Sequence, residues 1–325
     1  DLEPGISAKS VRLSARENSY IFSHAGAASL AVSYGNEAGG ALSIGVGLAK
    51  NQIANKALAY VQDVQHGLSS TEGEISIKAR NKAKIKSIAW AASAPAGFGS
   101  SGTVCLSGAG AEAKNMIQTS TKAYIDKSQV QSKKSIDIKA TDAAEINSFI
   151  LGLSLTIAGS GGNSIGASIG VSLARNILGW KNKDEDELWY YYTTETSEDN
   201  NPAFINYGDT VKIEYGVRSG DVYEYIGTEP IQRPDDVDSS KGCWLTGLDY
   251  GNKDLWRQEN LEKVKTPVMA YTKDSKLIAE GDIQIKAQAE QDITSRVYSI
   301  SVAVAGGSGF AVGLSGAGAQ AENLI

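Results

Sequence analysis

The amino-acid sequence predicts an all-β fold: a β-solenoid, similar to a parallel β-helix, built from four repeats of about 61 to 64 residues with a small all-β module inserted. An Ile-Lys-Ala motif recurs at residues 77–79, 138–140 and 285–287, with a weaker copy, Leu-Ser-Ala, at 13–15. The alanines of the four motifs lie 64, 61 and 147 residues apart, and the last interval equals 61 plus 86 inserted residues. Apolar and polar residues alternate along each repeat, and a Gly-rich break falls at the same point of every repeat. Alternation is typical of strands, and glycine permits the reversal between them.

The third repeat shows the predicted strands most clearly. Residues 135–140 and 144–149 alternate between apolar and polar side chains, and residues 151–158 continue the run up to a break at 159–162. A second strand, rich in small residues, follows over 164–176. Glycines and β-branched residues fill these runs and helix-capping signals are absent, so a helix is disfavoured.

Each repeat then reaches an Asn-x-[Ile/Leu] motif, and three repeats continue to an Ala-Tyr pair. These are the predicted structural positions of the repeat: Asn51, Asn115, Asn176 and Asn323, followed by Tyr60, Tyr124 and Tyr271. The 86 extra residues enter between Asn176 and Ala270. The predicted domains are therefore 1–180 for solenoid repeats one to three, 181–267 for the module, and 268–325 for the end of repeat three and repeat four.

Two solenoid geometries are consistent with these repeats. A repeat could form three short coils of about 20 residues, or one large coil; stacked strands lie about 4.8 Å apart, so only the large coil would bring the asparagines into contact. We favour three short coils, because Ile125, Val130, Ile136 and Ile146 recur every 5 to 11 residues like the faces of a small coil. The glycine-centred break between two long strands favours the alternative, and it could also be a hairpin.

The four repeats form two alternating pairs. Repeats one and three share Ser-Ile-Gly-Val at 43–46 and 168–171, whereas repeats two and four share Ser-Gly-Ala-Gly-Ala at 107–111 and 315–319. The larger unit is thus a pair of about 125 residues. Repeat four stops before its Ala-Tyr strand, so we expect a segment of a longer array or a subunit that needs a neighbour.

The repeats resemble those of giant bacterial surface and secreted proteins, the filamentous-haemagglutinin-like and RTX-associated adhesins. The residues that carry the resemblance are Ala-Tyr-Ile at 123–125, Ile-Asp-Ile-Lys-Ala at 136–140, and the Ser-Gly-Ala-Gly-Ala runs followed by Asn and Ile. The resemblance covers about 240 residues, and it implies export, repetition and a mechanical or adhesive role. The calcium-binding Gly-Gly-x-Gly-x-Asp repeat of RTX blocks is missing from this sequence, which removes the main reason to expect calcium in the solenoid.

The inserted segment differs from the repeats in composition. It contains Trp189, Trp244 and Trp256 and eight tyrosines, and residues 181–266 hold 19 acidic and 10 basic residues. Turn and strand signals at 208–213 and 220–227 predict a small all-β module. Its Gly-Asp-x-Val turn, Tyr-rich strand and late tryptophans are similar to those of small carbohydrate-binding modules.

Aromatic side chains in such a module can form its core or can stack on sugar rings. The candidate glycan contacts are Tyr191, Tyr223, Tyr225, Trp244 and Trp256. At least one of Tyr190, Tyr191 and Tyr192 should be exposed, because neighbours in a strand alternate faces. Asp235, Asp236 and Asp238 are candidate calcium ligands, although an acidic loop is also explained by solvation.

The sequence offers little for catalysis or for other ligands. It has only two histidines, His24 and His66, so a zinc site or a Ser-His-Asp triad is disfavoured. The formal net charge of −6 argues against nucleic acid as a partner, and no apolar stretch reaches the 20 or so residues of a membrane-spanning helix. Two cysteines, Cys105 and Cys243, leave a disulfide open.

These observations favour a non-enzymatic structural or adhesive segment of an extracellular or cell-surface bacterial protein, which forms an extended rod or fibre by strand stacking. The expected partners are neighbouring copies or flanking repeats, and no cofactor is expected apart from calcium. An alternative is a glycan-binding surface protein that uses the inserted module. A polysaccharide-active β-helix enzyme is a more remote alternative.

Overall fold

The computed structural model describes residues 5–183, 188–195, 202–215, 218–234, 243–263 and 267–325, and the chain is all-β as the sequence predicts. It divides into two compact units: Asp1–Gly179 with Lys265–Ile325, and Trp180–Val264. The first unit contains the four repeats, and the second corresponds to the segment for which the sequence predicts a module at 181–267.

Each repeat forms one coil of the solenoid, made of two long strands and one short strand. Six of the long strands have 25 residues, far beyond the 3 to 10 that are usual in globular proteins. The strands of the first two coils are β1 (Ile6–Ala8), β2 (Val11–Gly35), β3 (Ala38–Gln62), β4 (Leu68–Ser70), β5 (Ile75–Gly99), β6 (Gly102–Asp126) and β7 (Gln129–Ser132). Those of the last two are β8 (Ile136–Ser160), β9 (Asn163–Leu178), β18 (Val268–Lys273), β19 (Lys276–Ala279), β20 (Ile283–Gly307) and β21 (Ala311–Leu324).

The coils stack into three parallel sheets. The first long sheet has the order β2-β5-β8-β20, the second long sheet contains β3, β6, β9 and β21 with β18 beside β6, and the short sheet has the order β1-β4-β7-β19. The register follows the repeat: Ala15 pairs with Ala79, Ala79 with Ala140, and Ala140 with Ala287. One repeat therefore advances the solenoid by one strand spacing, about 4.8 Å.

The expectation of three short coils per repeat is wrong. Residues such as Ile136 and Ile146, which we assigned to successive faces of a small coil, lie on the same strand β8 and point into the same core. The chain makes one large coil because the inward positions alternate without interruption over 25 residues. The glycine-rich break is also not a hairpin, since β2 and β3 belong to different sheets that pack face to face.

The corner between the second long sheet and the short sheet uses a left-handed residue in three coils. Asp63, Lys127 and Asp274 have φ angles of 56°, 46° and 48°, and each follows the last residue of β3, β6 or β18. Ser128 stabilises this corner, because the amide of Val64 donates to its Oγ at 3.0 Å and its own amide donates to Ser275 Oγ at 3.1 Å. Equivalent corners are thus bonded from coil to coil.

The core between the two long sheets becomes narrower away from the short sheet. Isoleucines fill the wide end, where Ile77 and Ile138 are fully buried. Alanine, serine and glycine line the narrow end, and a Cβ added at Gly45 would lie 2.5 Å from the carbonyl oxygen of Ala92. The sheets approach so closely there that the inward positions accept only small residues.

The inserted module has its own sheets and core. Its strands are β10 (Trp180–Asn182), β11 (Tyr192–Thr193), β12 (Phe204–Ile205), β13 (Thr210–Lys212), β14 (Val222–Tyr225), β15 (Ile231–Gln232), β16 (Trp256–Gln258) and β17 (Leu261–Lys263). A four-stranded sheet has the order β11-β13-β14-β16, and β10-β17 and β12-β15 form two antiparallel pairs. The predicted turns at Gly208 and Gly220 are present, with φ angles of 88° and 84° that favour glycine.

Candidate functional sites: stacked side-chain ladders and exposed aromatic residues

The four repeat asparagines form a continuous ladder inside the solenoid. Asn51 Nδ2 donates to Asn115 Oδ1, Asn115 Nδ2 to Asn176 Oδ1, and Asn176 Nδ2 to Asn323 Oδ1, each at 2.8 Å. Asn115 and Asn176 are fully buried. An amide donates and accepts at once, so one side chain per coil can bond to the coils on both sides.

Serines of the first long sheet complete the bonding of this ladder. Asn51 Nδ2 also donates to Ser23 Oγ at 2.8 Å and to Ser87 Oγ at 3.2 Å, while Asn176 Nδ2 donates to Ser148 Oγ at 3.0 Å. These bonds connect the two long sheets at one level in every pair of coils. Buried polar groups with partners on both sheets fix the relative position of the sheets, since a shift would leave them unpaired.

The three repeat tyrosines form a stack on the outer face of the second long sheet. The ring of Tyr124 lies 5.0 Å from that of Tyr60 and 4.9 Å from that of Tyr271, with interplanar angles of 5° and 3°. Burial raises the pKa of Tyr124, and the two neighbouring phenols and Asp126 add to the increase. The sequence placed these residues at equivalent positions, and the one-coil geometry brings them into contact.

A second polar ladder, which we did not predict from the sequence, crosses the narrow end of the core. Serine hydroxyls alternate between the two long sheets: Ser107 Oγ donates to Ser93 Oγ at 2.9 Å, Ser154 Oγ to Ser107 Oγ at 2.7 Å, and Ser168 Oγ to Ser154 Oγ at 2.8 Å. The signal was available, because serine recurs at the same two positions of all four repeats: 29, 93, 154 and 301, and 43, 107, 168 and 315.

One end of the solenoid core is open. Ile283 and Ile285 of β20 are 46% and 45% exposed, whereas the residues that align with them on β8, Ile136 and Ile138, are fully buried. Within the described residues β20 pairs with β8 on one edge and has no strand on the other. An apolar layer beside an unpaired strand edge is a surface onto which another coil can stack.

Four of the five candidate glycan contacts lie in the core of the module. Tyr223, Tyr225, Trp244 and Trp256 are at most 8% exposed and pack together with Tyr250. Their rings face protein, so no ring face is open for a sugar. The sequence could not distinguish the two roles, because the residue type alone does not say which face of a short strand it occupies.

The fifth candidate, Tyr191, belongs to an exposed aromatic cluster. Tyr191 is 60% exposed, its ring lies 6.0 Å from that of Trp189, and Trp189 is 73% exposed. Tyr190 is also exposed, with Lys212 Nζ 5.3 Å from its ring centroid. The prediction that this run exposes at least one tyrosine is confirmed, and Trp189 and Tyr190 are the exposed members that the candidate site residues did not include.

The other candidate sites give no catalytic or metal arrangement in the part of the chain that the structure describes. The aspartates Asp235, Asp236 and Asp238 lie outside the described residues, and within them no group of three potential metal-ligating side chains is present. His24 accepts a hydrogen bond from Trp90 Nε1 at 2.9 Å. Cys105 and Cys243 are free thiols whose pKa values are raised by burial.

A buried carboxylate interrupts the apolar core at one point. Asp142 Oδ2 accepts hydrogen bonds from Asn81 Nδ2 and Thr121 Oγ1, both at 3.0 Å. Its Oδ1 and the Oδ1 of Asn81 are buried without a hydrogen-bond partner. Each of these two unpaired acceptors is costly, because each loses its hydration.

The fold defines the chain as a β-solenoid repeat protein with one coil per repeat. Comparison with protein-family models, curated proteins and solved structures finds no match to this chain. Among the described residues, no helix is long and apolar enough to cross a membrane.

Proposed function

We propose that the chain is a structural segment of a large extracellular bacterial repeat protein, in which coils stack into an extended rod or fibre. The observation that carries this proposal is the open end of the core at Ile283 and Ile285, beside the unpaired edge of β20. The resemblance of the repeats to those of filamentous-haemagglutinin-like and RTX-associated adhesins supports the extracellular location and the adhesive role. No catalytic role is proposed.

The ladders give stacking its register. A coil that docks on β20 and β21 meets the end of the asparagine ladder at Asn323. Its own asparagine can extend the ladder only in one alignment, because the side-chain amides bond to their direct neighbours. Covering Ile283 and Ile285 supplies hydrophobic stabilisation, and the edge strands supply backbone hydrogen bonds. Neighbouring copies or flanking repeats with the same pattern are suitable partners.

The test is whether the purified chain assembles through this end. Ile285→Lys places a charge in the exposed core layer and should block stacking, whereas Gln284→Lys, at the neighbouring position that points outward, should not. We expect the native chain and Gln284→Lys to form filaments in negative-stain electron microscopy and to grow in mass with concentration in light scattering. Ile285→Lys should remain monomeric with an unchanged far-ultraviolet circular dichroism spectrum. A native chain that stays monomeric over a wide concentration range would contradict self-stacking.

Glycan binding by the inserted module is the second candidate function. The exposed rings of Trp189 and Tyr191 support it, because open aromatic faces stack on the apolar faces of sugars. A glycan array probed with the whole chain tests it, with Trp189→Ala and Tyr191→Ala expected to lose the signal. Tyr215→Ala, which removes another exposed tyrosine of the module, is the matched control. Binding that survives both ring deletions would exclude this cluster.

A further inference from the structure

The outer faces of the long strands change polarity partway along their length. In β8 the outward residues are first polar, with Asp137, Lys139 and Glu145, and then apolar, with the run Phe149, Leu151, Leu153, Leu155 and Ile157. The inward residues change in the opposite sense, from isoleucine to small residues such as Ser154 and Ala158. The second part of the strand therefore carries its large apolar side chains on the outside, the reverse of a water-exposed sheet.

The same reversal occurs in all four coils and on both long sheets. We define the apolar half as the outward surface of residues 26–35, 90–99, 151–160 and 298–307 on the first long sheet and 38–46, 102–110, 163–171 and 311–318 on the second. These eight segments contain no Asp, Glu, Lys or Arg. The two surfaces lie at the same level of the coil, because Ser43 Oγ donates across the core to Ser29 Oγ at 2.9 Å and equivalent serines do so in later coils.

Much of this apolar surface is uncovered. Leu30 and Val32 are 74% and 69% exposed in the first coil, and Leu153 is still 40% exposed although it has stacked neighbours on both sides. On the second long sheet Leu42 and Ile169 are each 61% exposed. Exposed apolar surface that continues over several strands marks an interaction site.

The dimensions and the aromatic residues fit the hydrocarbon layer of a bilayer. A ten-residue strand segment spans about 33 Å, close to the thickness of about 30 Å of a bilayer core. Exposed aromatic residues lie at both ends of the aliphatic segment: Phe22, Phe149 and Tyr298 at the end near the charged surface, and Tyr34, Phe98 and Phe310 at the end near the glycine-rich turns. Aromatic rings are enriched at the two interfaces of membrane proteins.

Basic residues border the apolar half. On the first long sheet, the outward positions of β2, β5, β8 and β20 that precede the apolar half include ten basic residues and four acidic ones. The basic residues are Arg12, Arg16, Lys78, Arg80, Lys82, Lys84, Lys86, Lys139, Lys286 and Arg296, and the acidic residues are Asp137, Glu145, Glu290 and Asp292. Lys84, Lys86 and Arg296 line a shallow pocket of about 300 Å³ beside Phe149, directly at the border. Basic residues at this level would meet anionic headgroups.

We propose that the apolar half inserts into a lipid bilayer with anionic headgroups, while the basic part of the coils stays at the headgroup surface. A bilayer is favoured over a second copy of the chain, because both outer surfaces of the apolar half are apolar at the same level. A single partner molecule on one surface would leave the other in water, whereas a bilayer covers both. The backbone groups of the inner coils are paired with neighbouring coils, as the hydrocarbon interior requires.

The edges of the first and last coils connect insertion with stacking. Their unpaired backbone groups would be costly in hydrocarbon unless another coil pairs with them. Insertion therefore rests on the stacking proposed above, and we expect vesicles to promote end-to-end assembly. The two proposals remain separable, because stacking is measured by electron microscopy and light scattering without lipid.

The test uses the whole chain and two kinds of vesicle, phosphatidylcholine alone and phosphatidylcholine with phosphatidylglycerol. We expect flotation with the anionic vesicles and much weaker flotation with the neutral ones. Val302→Asp with Leu314→Asp, and separately Val302→Lys with Leu314→Lys, should each lower partitioning by about tenfold or more, because either charge is costly in hydrocarbon. Val302→Ile with Leu314→Ile is the matched control and should bind like the native chain.

Insertion depth is read from a polarity-sensitive fluorophore on an introduced thiol. The emission of a fluorophore attached to Val302→Cys should shift to shorter wavelength on anionic vesicles. The emission of a fluorophore attached to Gln288→Cys, on the charged part of the same strand, should not shift. The native thiols of Cys105 and Cys243 are buried and should not react with the label. If the variant with Val302→Lys and Leu314→Lys binds anionic vesicles more tightly than the native chain, insertion is refuted in favour of adsorption to the vesicle surface. Absence of flotation by a chain that stacks normally would overturn it too. A third outcome would instead assign the apolar half to contacts between copies of the chain. In it, the native chain does not bind vesicles but associates side by side without lipid, and the variant with Val302→Asp and Leu314→Asp no longer associates.

Discussion

Replacement of Asn115 by alanine tests whether the asparagine ladder stabilises the stacked coils. The change removes the hydrogen bond accepted from Asn51 Nδ2 and the one donated to Asn176 Oδ1, both 2.8 Å long. Loss of the bond from Asn51 costs about 1 kcal/mol net, whereas loss of a bond that leaves a buried acceptor without a donor costs about 1 to 3 kcal/mol. Asn51 Nδ2 keeps Ser23 and Ser87 as partners, so only Asn176 Oδ1 loses its donor. We expect the free energy of unfolding to fall by about 2 to 4 kcal/mol.

The position within the ladder supplies a matched comparison. Asn323 is exposed, and within the described residues its ladder bond is the one it accepts from Asn176 Nδ2, so Asn323→Ala should cost about 0.5 to 1.5 kcal/mol. Gln52→Ala changes an exposed side chain next to Asn51 and should change stability by less than about 0.5 kcal/mol. Urea denaturation followed by far-ultraviolet circular dichroism measures the solenoid. Tryptophan fluorescence reports mainly on the module, because four of the five tryptophans lie at residues 180–256.

The Asn115→Asp variant adds a pH test of the same bonds. A carboxylate can accept from Asn51, but it has no proton to donate to Asn176 Oδ1 and it buries a charge. Burial raises the pKa of such a group in the folded state, so the variant should regain stability as the pH falls through that value, relative to Asn115→Ala. Equal losses for Asn115→Ala and Asn323→Ala, with no pH dependence in Asn115→Asp, would refute the assignment of stability to the ladder.

Three further predictions concern buried or paired groups. Asp142→Asn should raise stability by about 1 to 2 kcal/mol in urea denaturation, because the amide oxygen still accepts from Asn81 and Thr121 while a buried acidic group with an unpaired Oδ1 is removed, whereas Asp142→Ala should lower it; a loss with Asn would contradict this. Cys105 and Cys243 should react with an aromatic disulfide reagent only on unfolding, each reporting on its own unit, and rapid reaction of the native protein would contradict their burial. The hydrogen bond from Lys84 holds the pKa of Glu145 below its usual range, although burial acts in the opposite direction. The stabilisation of the folded state by this pair should therefore be fully present above about pH 4.3, the ordinary pKa of a glutamate, and should be lost as the pH falls through the lower pKa of the folded state. In Glu145→Gln, the loss of unfolding free energy between neutral and acidic pH should therefore be smaller than in the native chain, by no more than about 1 kcal/mol. An unchanged dependence of stability on acidic pH would refute the pairing.

The repeat boundaries and most strand positions were accessible from the sequence, but the size of the coil was not. Alternation with a period of two identifies a strand and its two faces without saying where the chain turns. Ile125 and Ile136 therefore fitted a small coil as well as two strands of different sheets. The decisive information was the regular recurrence of Asn51, Asn115 and Asn176 at spacings of 64 and 61 residues, which becomes a physical contact only when one repeat makes one coil.

The candidate site residues were harder to assign than the fold. Tyr223 and Trp256 have the same side-chain chemistry in a core as on a binding surface, and strands of three or four residues are too short for a reliable alternation pattern. The apolar half was not predicted from the sequence for a related reason. Over residues 151–157, leucine and isoleucine alternate with Gly152, Ser154 and Thr156 and so predict two different faces, but the usual assumption that the larger apolar side chains point inward is wrong here.

The one-coil geometry relates the ladders to the proposed membrane contact. Asn51 bonds to Ser23 and Ser87 at the level where the outer surfaces change from charged to apolar, with Lys50 and Lys86 next to them in the sequence. The ladder therefore holds the polarity boundary of successive coils at one height, and a one-residue slip would move charged side chains across it. Each added coil contributes one more apolar segment and another bond in the ladder. If insertion occurs, the free energy of membrane binding should grow with the number of stacked coils, because the coils bind as linked copies of one weak contact.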